Sequence, residues 1–311
     1  MRRSLQRGAV GPLATATLMC TLMCLLMCLG LAGGAEASTA TATPNIAAAA
    51  IAIAHTTDGV VAYREVGHGS PVLLVNGFST SMDNWSPSLI NRLAAHHRVV
   101  VFDNAGVGQS AALSSLSINA MATQTEALIT ALHLGRTAVL GWSMGGMVAQ
   151  ALAIDDPHQV SRLVLAATQA GNGRALPLPA AAAAAAASSN PADVLSAIFP
   201  ADQSAASQAY VKGILTYPHF YEPTAAIKTQ QSAAIAQWLA GSDPVGLRLA
   251  HIAQPTLVAD GARDALDPAA NDRQLAHAIH GARLVLYPDA GHAFLFQDAA
   301  AFAGRVTKFL S

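Results

Sequence analysis

The chain has 311 residues, 52% hydrophobic and 11% charged, enough apolar material to bury a large core in one domain with an inserted element. A formal net charge of −1 gives no electrostatic footing for nucleic acid or for an anionic membrane surface. The only cysteines are Cys20, Cys24 and Cys28, so a chain processed beyond them has no disulfide, no thiolate nucleophile and no cysteine metal site.

The N-terminus reads as a targeting segment. "MRRSLQR" is a positive n-region, a long apolar stretch follows, and "AEAS" (35–38) offers a small-x-small cleavage site after Ala37. Residues 1–37 are therefore expected to be a secretory signal peptide, giving a secreted or cell-envelope protein with no stable membrane insertion after cleavage. The alternative is an uncleaved membrane anchor, because the apolar run is long enough to span a bilayer. Residues 38–50, "STATATPNIAAAA", read as a linker.

From residue 51 the pattern is regular. "AIAHTTDGVVAYREV" predicts two strands about the turn Thr57-Asp58-Gly59. "PVLLVNG" (71–77) is a continuous apolar strand, as expected when both faces of a sheet are covered. A helix through "WSPSLINRLAAH", the strand "RVVVFDNAG", a helix through "NAMATQTEALITALHL" and the strand "AVLGW" (138–142) follow. Met147, Ala151 and Ile154 then fall at helical spacing, so Ser143 sits on a strand-to-helix turn inside the frame Gly141-Trp142-Ser143-Met144-Gly145. Glycines at 141 and 145 let strand and helix approach closely, and the strained turn pushes the serine hydroxyl beyond the sheet.

The strand "SRLVLAAT" (161–168) is followed by a break in the alternation. Residues 170–245 carry an alanine run and helical patterning through Trp238, read as a helical cap insertion. The sheet resumes at "PTLVADG" (255–261), a helix near 268–280, "ARLVLYP" (282–288) and a last helix near 297–310. This pitch predicts an α/β fold with a mostly parallel, doubly wound sheet. Two turns bear chemistry: the loop after Gly261 presents Asp264, and the loop after the next strand presents His292. Both lie at the carboxyl ends of strands, with Ser143, where open α/β sheets build sites.

"NGF" (76–78), "DNAGVGQS" (103–110), "GWSMGG" (141–146), "GARD" (261–264) and "GH" (291–292) occur in this order. Jointly they resemble the α/β-hydrolase fold family over roughly residues 50–311. The resemblance implies Ser143 as nucleophile, His292 as its general base and Asp264 as the acid that orients the imidazole. It also implies an oxyanion hole made by the backbone N–H groups of Phe78 and Met144. Relatives commonly carry His-Gly where this chain has Asn76-Gly77. A backbone donor at Phe78 survives that change, and Asn76 is left to brace the loop or to reach the pocket.

Other candidates compete. Asp260, Asp267 and Asp289 are alternatives to Asp264, Asp260 foremost. Asp103 and the turn to Ser110 read as a brace. Neither "GVGQS" nor "GNGR" matches a phosphate-binding fingerprint, and the eleven histidines form no ligand set with carboxylates, so no cofactor and no metal are expected. His219 is a candidate pocket residue or a packing residue, and Trp142 either packs near the acyl site or fills the core. A serine at this turn argues against dehalogenase and epoxide-hydrolase relatives, which use aspartate there. The implied reaction is hydrolysis of a carboxylic ester of a small or medium apolar acyl group, with a small ester-like molecule as partner and no nucleic acid. Perhydrolase, lactonase, thioesterase and carbon–carbon hydrolase chemistry use the same triad, and a non-catalytic ligand-binding relative is the alternative of another class.

Overall fold

The structure is a computed structural model that describes residues 43–311. The expected signal peptide, its three cysteines and the first part of the expected linker lie outside the described residues. The linker expectation fails at its C-terminal end. A short 3-10 turn, Ile46–Ala48, docks on the body of the protein; Ile46 is fully buried and its N–H donates to Asn91 Oδ1 at 2.8 Å. Full burial of an isoleucine is worth about 1.5–3 kcal/mol, and the Arg64 guanidinium adds a hydrogen bond to Ala49 O of the same segment.

Eight strands form one sheet: β1 (Ala52–Thr56), β2 (Gly59–Val66), β3 (Pro71–Val75), β4 (Arg98–Phe102), β5 (Thr137–Trp142), β6 (Val160–Ala166), β7 (Thr256–Gly261) and β8 (Arg283–Tyr287). Their order is β1-β2-β4-β3-β5-β6-β7-β8. β1 and β2 pair antiparallel, as does β2 with β4, and every other neighbour pair is parallel. Side chains of successive strand residues point to opposite faces. In β3, Val72 and Leu74 join one buried cluster while Leu73 and Val75 join another, so each face of the sheet carries its own core. That two-sided burial explains the unbroken apolar runs of the central strands.

Helices cover both faces: α1 (Pro87–Ala94), α2 (Ile118–Ala131) and α3 (Met144–Asp155) come from the first half of the sheet. Proline starts α1 at the first turn, where its missing N–H costs nothing, and the Ser117 side chain caps α2 by accepting from Ala120 N–H at 3.0 Å. Between β6 and β7 the chain makes α4 (Ala180–Ala186), α5 (Pro191–Ile198), α6 (Ser204–Ile214) and α7 (Ala225–Leu239). The alanine run is α4, a helix with no fully buried residue, favoured by the helical propensity of alanine and packed on the core through Ala182, Ala185 and Ala186. After β7 come α8 (Ala269–Ala278), and after β8 the short α9 (Phe294–Gln297) and α10 (Ala299–Leu310). No helix among the described residues is long and apolar enough to cross a membrane.

Candidate active site

Ser143 lies between the end of β5 and the start of α3, at φ 57° and ψ −122°. A non-glycine residue in this region stores strain of about 1–3 kcal/mol, which the surroundings must overcome. They do so with two hydrogen bonds to its main chain: Ser143 N–H donates to Ala166 O at 2.8 Å, and the Thr168 hydroxyl donates to Ser143 O at 2.7 Å. The flanking glycines are steric necessities. A Cβ on Gly141 would come 2.2 Å from Gly145 O, and one on Gly145 would come 2.1 Å from Val75 O.

The loops after β7 and β8 meet beside this turn. His292 Nδ1–H donates to Asp264 Oδ2 at 2.6 Å, with the Asp264 side chain fully buried and the imidazole nearly so. The other carboxylate oxygen, Oδ1, accepts from Leu266 N–H at 2.7 Å and Asp267 N–H at 2.9 Å, so the carboxylate is held at both ends. Burial by itself disfavours the charged imidazolium. The Asp264 carboxylate, by charge and by hydrogen bond, outweighs that effect, and with Asp267 behind it raises the His292 pKa above the ordinary histidine value. The His292 loop is also tied down from two sides: the Trp142 indole N–H donates to His292 O at 3.1 Å, and Ala293 N–H donates to Ile198 O at 2.9 Å.

Among the competing carboxylates, only Asp264 bonds the imidazole. Asp260 Oδ1 accepts its neighbour's Gly261 N–H at 2.6 Å, Asp267 Oδ1 accepts from Gln169 and Asn271 side chains at 2.8 Å each, and Asp289 is exposed. Asp260, Asp267 and Asp272 bring carboxylate oxygens within 4.8 Å of one another, all buried. Burial first, then the like charges of the group, pushes Asp267 up to about 6, Asp272 up to about 8 and Asp260 well above the ordinary carboxylate range. Burial and mutual repulsion thus favour the protonated form within this cluster.

The expected oxyanion donors both face no protein acceptor: among the described residues neither Phe78 N–H nor Met144 N–H is spent in a hydrogen bond. The Thr80 hydroxyl donates to Gly77 O at 2.9 Å. In a trans peptide the Phe78 N–H points opposite to that carbonyl, so the threonine orients the donor. Asn76 is buried, and its amide donates to Phe102 O at the end of β4. It braces the strand end and does not line the cavity. Asp103 is a brace as well, accepting from Met82 N–H at 2.8 Å while burial pushes its carboxyl up to about 7.

Ser143 and His292 open onto one cavity of about 490 Å³. Phe78, Trp142, Leu195, Ile198, Tyr210 and Leu266 make much of its apolar wall. No hydrogen bond joins the Ser143 hydroxyl to the imidazole among the described residues, a looseness common before substrate arrives. Trp142 serves both roles open to it: it lines the cavity and packs edge-on against Trp85 and Phe296, at centroid distances of 6.2 and 5.0 Å. From "TYPHFYEP", Phe220 and Tyr221 line the cavity and His219 does not. Sequence reasoning missed two cap tyrosines. Tyr210 and Tyr217 donate their hydroxyls to Asn84 O and Trp85 O at 3.0 and 2.9 Å, fastening the insertion to the loop beyond β3.

Residues 70–299 match the family described as alpha/beta hydrolase fold. The chain is 28% identical over 280 residues to a putative non-heme bromoperoxidase, BpoC, of Mycobacterium tuberculosis, a match spanning 81% of this chain and 97% of that protein. It is 32% identical over 248 residues to a poly(3-hydroxyalkanoate) depolymerase of Ectopseudomonas oleovorans, spanning 78% of this chain and 85% of the relative. An α/β hydrolase fold protein from Chitinophaga pinensis superposes with a TM-score of 0.76 at 25% identity, over 86% of this chain and 99% of that structure. The chain belongs to the α/β hydrolase fold family and is an enzyme of the hydrolase class.

Proposed function

We propose that this α/β hydrolase cleaves carboxylic esters of small or medium apolar acyl groups through an acyl-Ser143 intermediate. The single observation that carries the reading is convergence: one cavity receives the Ser143 hydroxyl, an imidazole anchored on Asp264 at 2.6 Å, and the loop that carries the unspent Phe78 N–H. His292 Nε2 takes the hydroxyl proton as Oγ bonds the carbonyl carbon. The oxygen that gains negative charge accepts from Phe78 and Met144 N–H, and donors already in position cost no reorganisation. The imidazolium, stabilised by Asp264, returns its proton to the leaving alkoxy oxygen as the C–O bond breaks. Water then repeats the sequence on the acyl-enzyme.

Support for the acyl group's character comes from the cavity wall, where aromatic and aliphatic side chains dominate. The depolymerase relative, which by its name acts on a poly(3-hydroxyalkanoate), supports an alkanoate substrate. The bromoperoxidase relative favours a second reading, in which hydrogen peroxide replaces water at the acyl-enzyme and a peracid leaves. We also propose that residues 1–37 direct the enzyme out of the cytoplasm, which mass analysis of the mature N-terminus checks.

A fluorophosphonate probe and a p-nitrophenyl acyl ester series test the main reading. Labelling at Ser143, turnover with a preferred chain length, and loss of both in Ser143→Ala are expected. Ligand binding without labelling or turnover would replace the enzyme reading by a ligand-binding one. Peroxide-dependent halogenation exceeding ester hydrolysis would select the peracid reading.

A further inference from the structure

Helix α7 of the insertion rests on the body through one stripe: Ile227, Gln231, Ala234 and Trp238, spaced by four, three and four positions. Such a stripe is normally apolar throughout. Here Gln231 interrupts it, fully buried, between apolar neighbours. An amide side chain at a core-facing position is costly unless it is bonded. Gln231 spends its carbonyl on one partner: Oε1 accepts the Ser79 N–H at 2.9 Å, across 152 residues of sequence. Its Nε2 has no partner among the described residues.

Ser79 follows Phe78, and its φ of 58° lies in the left-handed region that L side chains avoid. Nothing local supports that conformation in the way glycine would. The Ser79 N–H belongs to the peptide that follows Phe78, so anchoring it sets ψ at Phe78, while Thr80 holds the preceding peptide through Gly77 O. Two hydrogen bonds therefore grip the Phe78 backbone from either side, one local and one from the insertion. Trp238 fixes the far end of the same helix, donating its indole N–H to Gln169 O at 3.1 Å from a fully buried position.

We infer that Gln231 is a positioning residue for the oxyanion hole, coupling the seating of the insertion to the direction of the Phe78 N–H donor. The inference rests on the acyl-transfer reading and adds that the hole is complete only when α7 is docked. Gln231→Met removes the acceptor at similar volume, and Gln231→Glu keeps an acceptor at the same place. With p-nitrophenyl butyrate, kcat of the methionine variant is expected to fall about tenfold or more while KM stays within about threefold, a milder loss than deletion of a hole donor. The inhibition constant of a boronic acid, whose tetrahedral serine adduct occupies the hole, should rise by the same factor as kcat falls. Amide exchange of the 77–81 segment, followed by mass spectrometry, should quicken in the methionine variant and stay slow in the glutamate variant, which also recovers kcat. Gln231→Ala carries the same expectations should the methionine variant misfold.

A merely structural role would lower the melting temperature while leaving the kcat to inhibition-constant correspondence absent, and that result overturns the assignment. So does unchanged exchange at 77–81 in the methionine variant. A wild-type enzyme that neither labels nor turns over removes the acyl-transfer reading and this inference with it. A fully active wild type with an indifferent Gln231→Met removes this inference alone.

Discussion

The rim of the sheet and the insertion that faces it enclose the same cavity by opposite means. At the rim, position is enforced at the Ser143 main chain: it is clamped by Ala166 O and the Thr168 hydroxyl, and glycines at 141 and 145 leave no room for any side chain. The insertion is fastened largely by side-chain bonds, from Tyr210, Tyr217, Gln231 and Trp238, each reaching a main-chain group of the body, beside the main-chain bond from Ala293 N–H to Ile198 O. The glycine positions leave no space for a Cβ, whereas side-chain fasteners can be exchanged one at a time. The difference teaches that reacting groups and substrate cover answer to different constraints. Mutations at the rim should strike kcat, and mutations at the fasteners should strike KM first, with Gln231 the exception because it reaches back to the rim.

The largest expected effect belongs to His292→Ala, which should lower kcat/KM for an acyl ester by about four orders of magnitude or more with the fold kept. Circular dichroism checks the fold, and near-normal turnover would remove His292 from the chemistry. Asp264→Asn should cost about three to four orders of magnitude, milder than Ser143→Ala, while Asp260→Asn costs less than about tenfold. The reverse order would move the orienting role into the carboxyl cluster behind the rim.

Next comes pH. On the proposed mechanism the His292 base must be neutral to accept a proton, and the Asp264 contact raises the His292 pKa. The rising limb of kcat/KM should therefore lie above the usual histidine pKa of about 6.5 and shift downward in Asp264→Asn. The buried carboxyls give a separate signature in stability. Their folded pKa values are raised, so the stability they contribute is complete below the ordinary aspartate value and is lost as pH rises through about 6 for Asp267 and about 8 for Asp272. Urea titrations across this range should show stability falling with pH, and Asp272→Asn should flatten the upper part of the fall. The smallest effect is at a fastener: Tyr210→Phe loses one hydrogen bond, worth about 1 kcal/mol in a melting experiment. It should raise KM a few-fold and leave kcat nearly unchanged.

Much of the fold was readable along the chain because its signals are local. The continuous apolar runs, the helical spacing of Met147, Ala151 and Ile154, and the glycine frame about Ser143 each act within a few residues, and the strands and helices formed where those signals lie. The end of the expected linker docks because Ile46 is buried and Ala47 and Ala49 pack beside it, contacts that an average over composition does not register. The sequence favours Asp264 over Asp260 but cannot show the contact itself. Both fall near the end of one strand, and only the loop's course delivers one of them to the imidazole. Gln231 did leave a trace, a lone polar residue in a stripe with Ile227, Ala234 and Trp238, but its partner had none.

By itself, then, the sequence determined the order of elements, the two-sided sheet and the turn that exposes the Ser143 hydroxyl. The physical reason is that backbone sterics and side-chain periodicity operate over neighbours in the chain. Tertiary structure brought Asp264 onto His292, and it alone decided that Asn76 braces a strand end and not the cavity and that the insertion reaches Ser79 through Gln231. Those outcomes depend on hydrogen bonds between groups up to about 150 residues apart, as for Trp142 with His292 and Ser79 with Gln231. Such bonds form only when packed layers bring their partners into reach, and no pattern within either segment announces them.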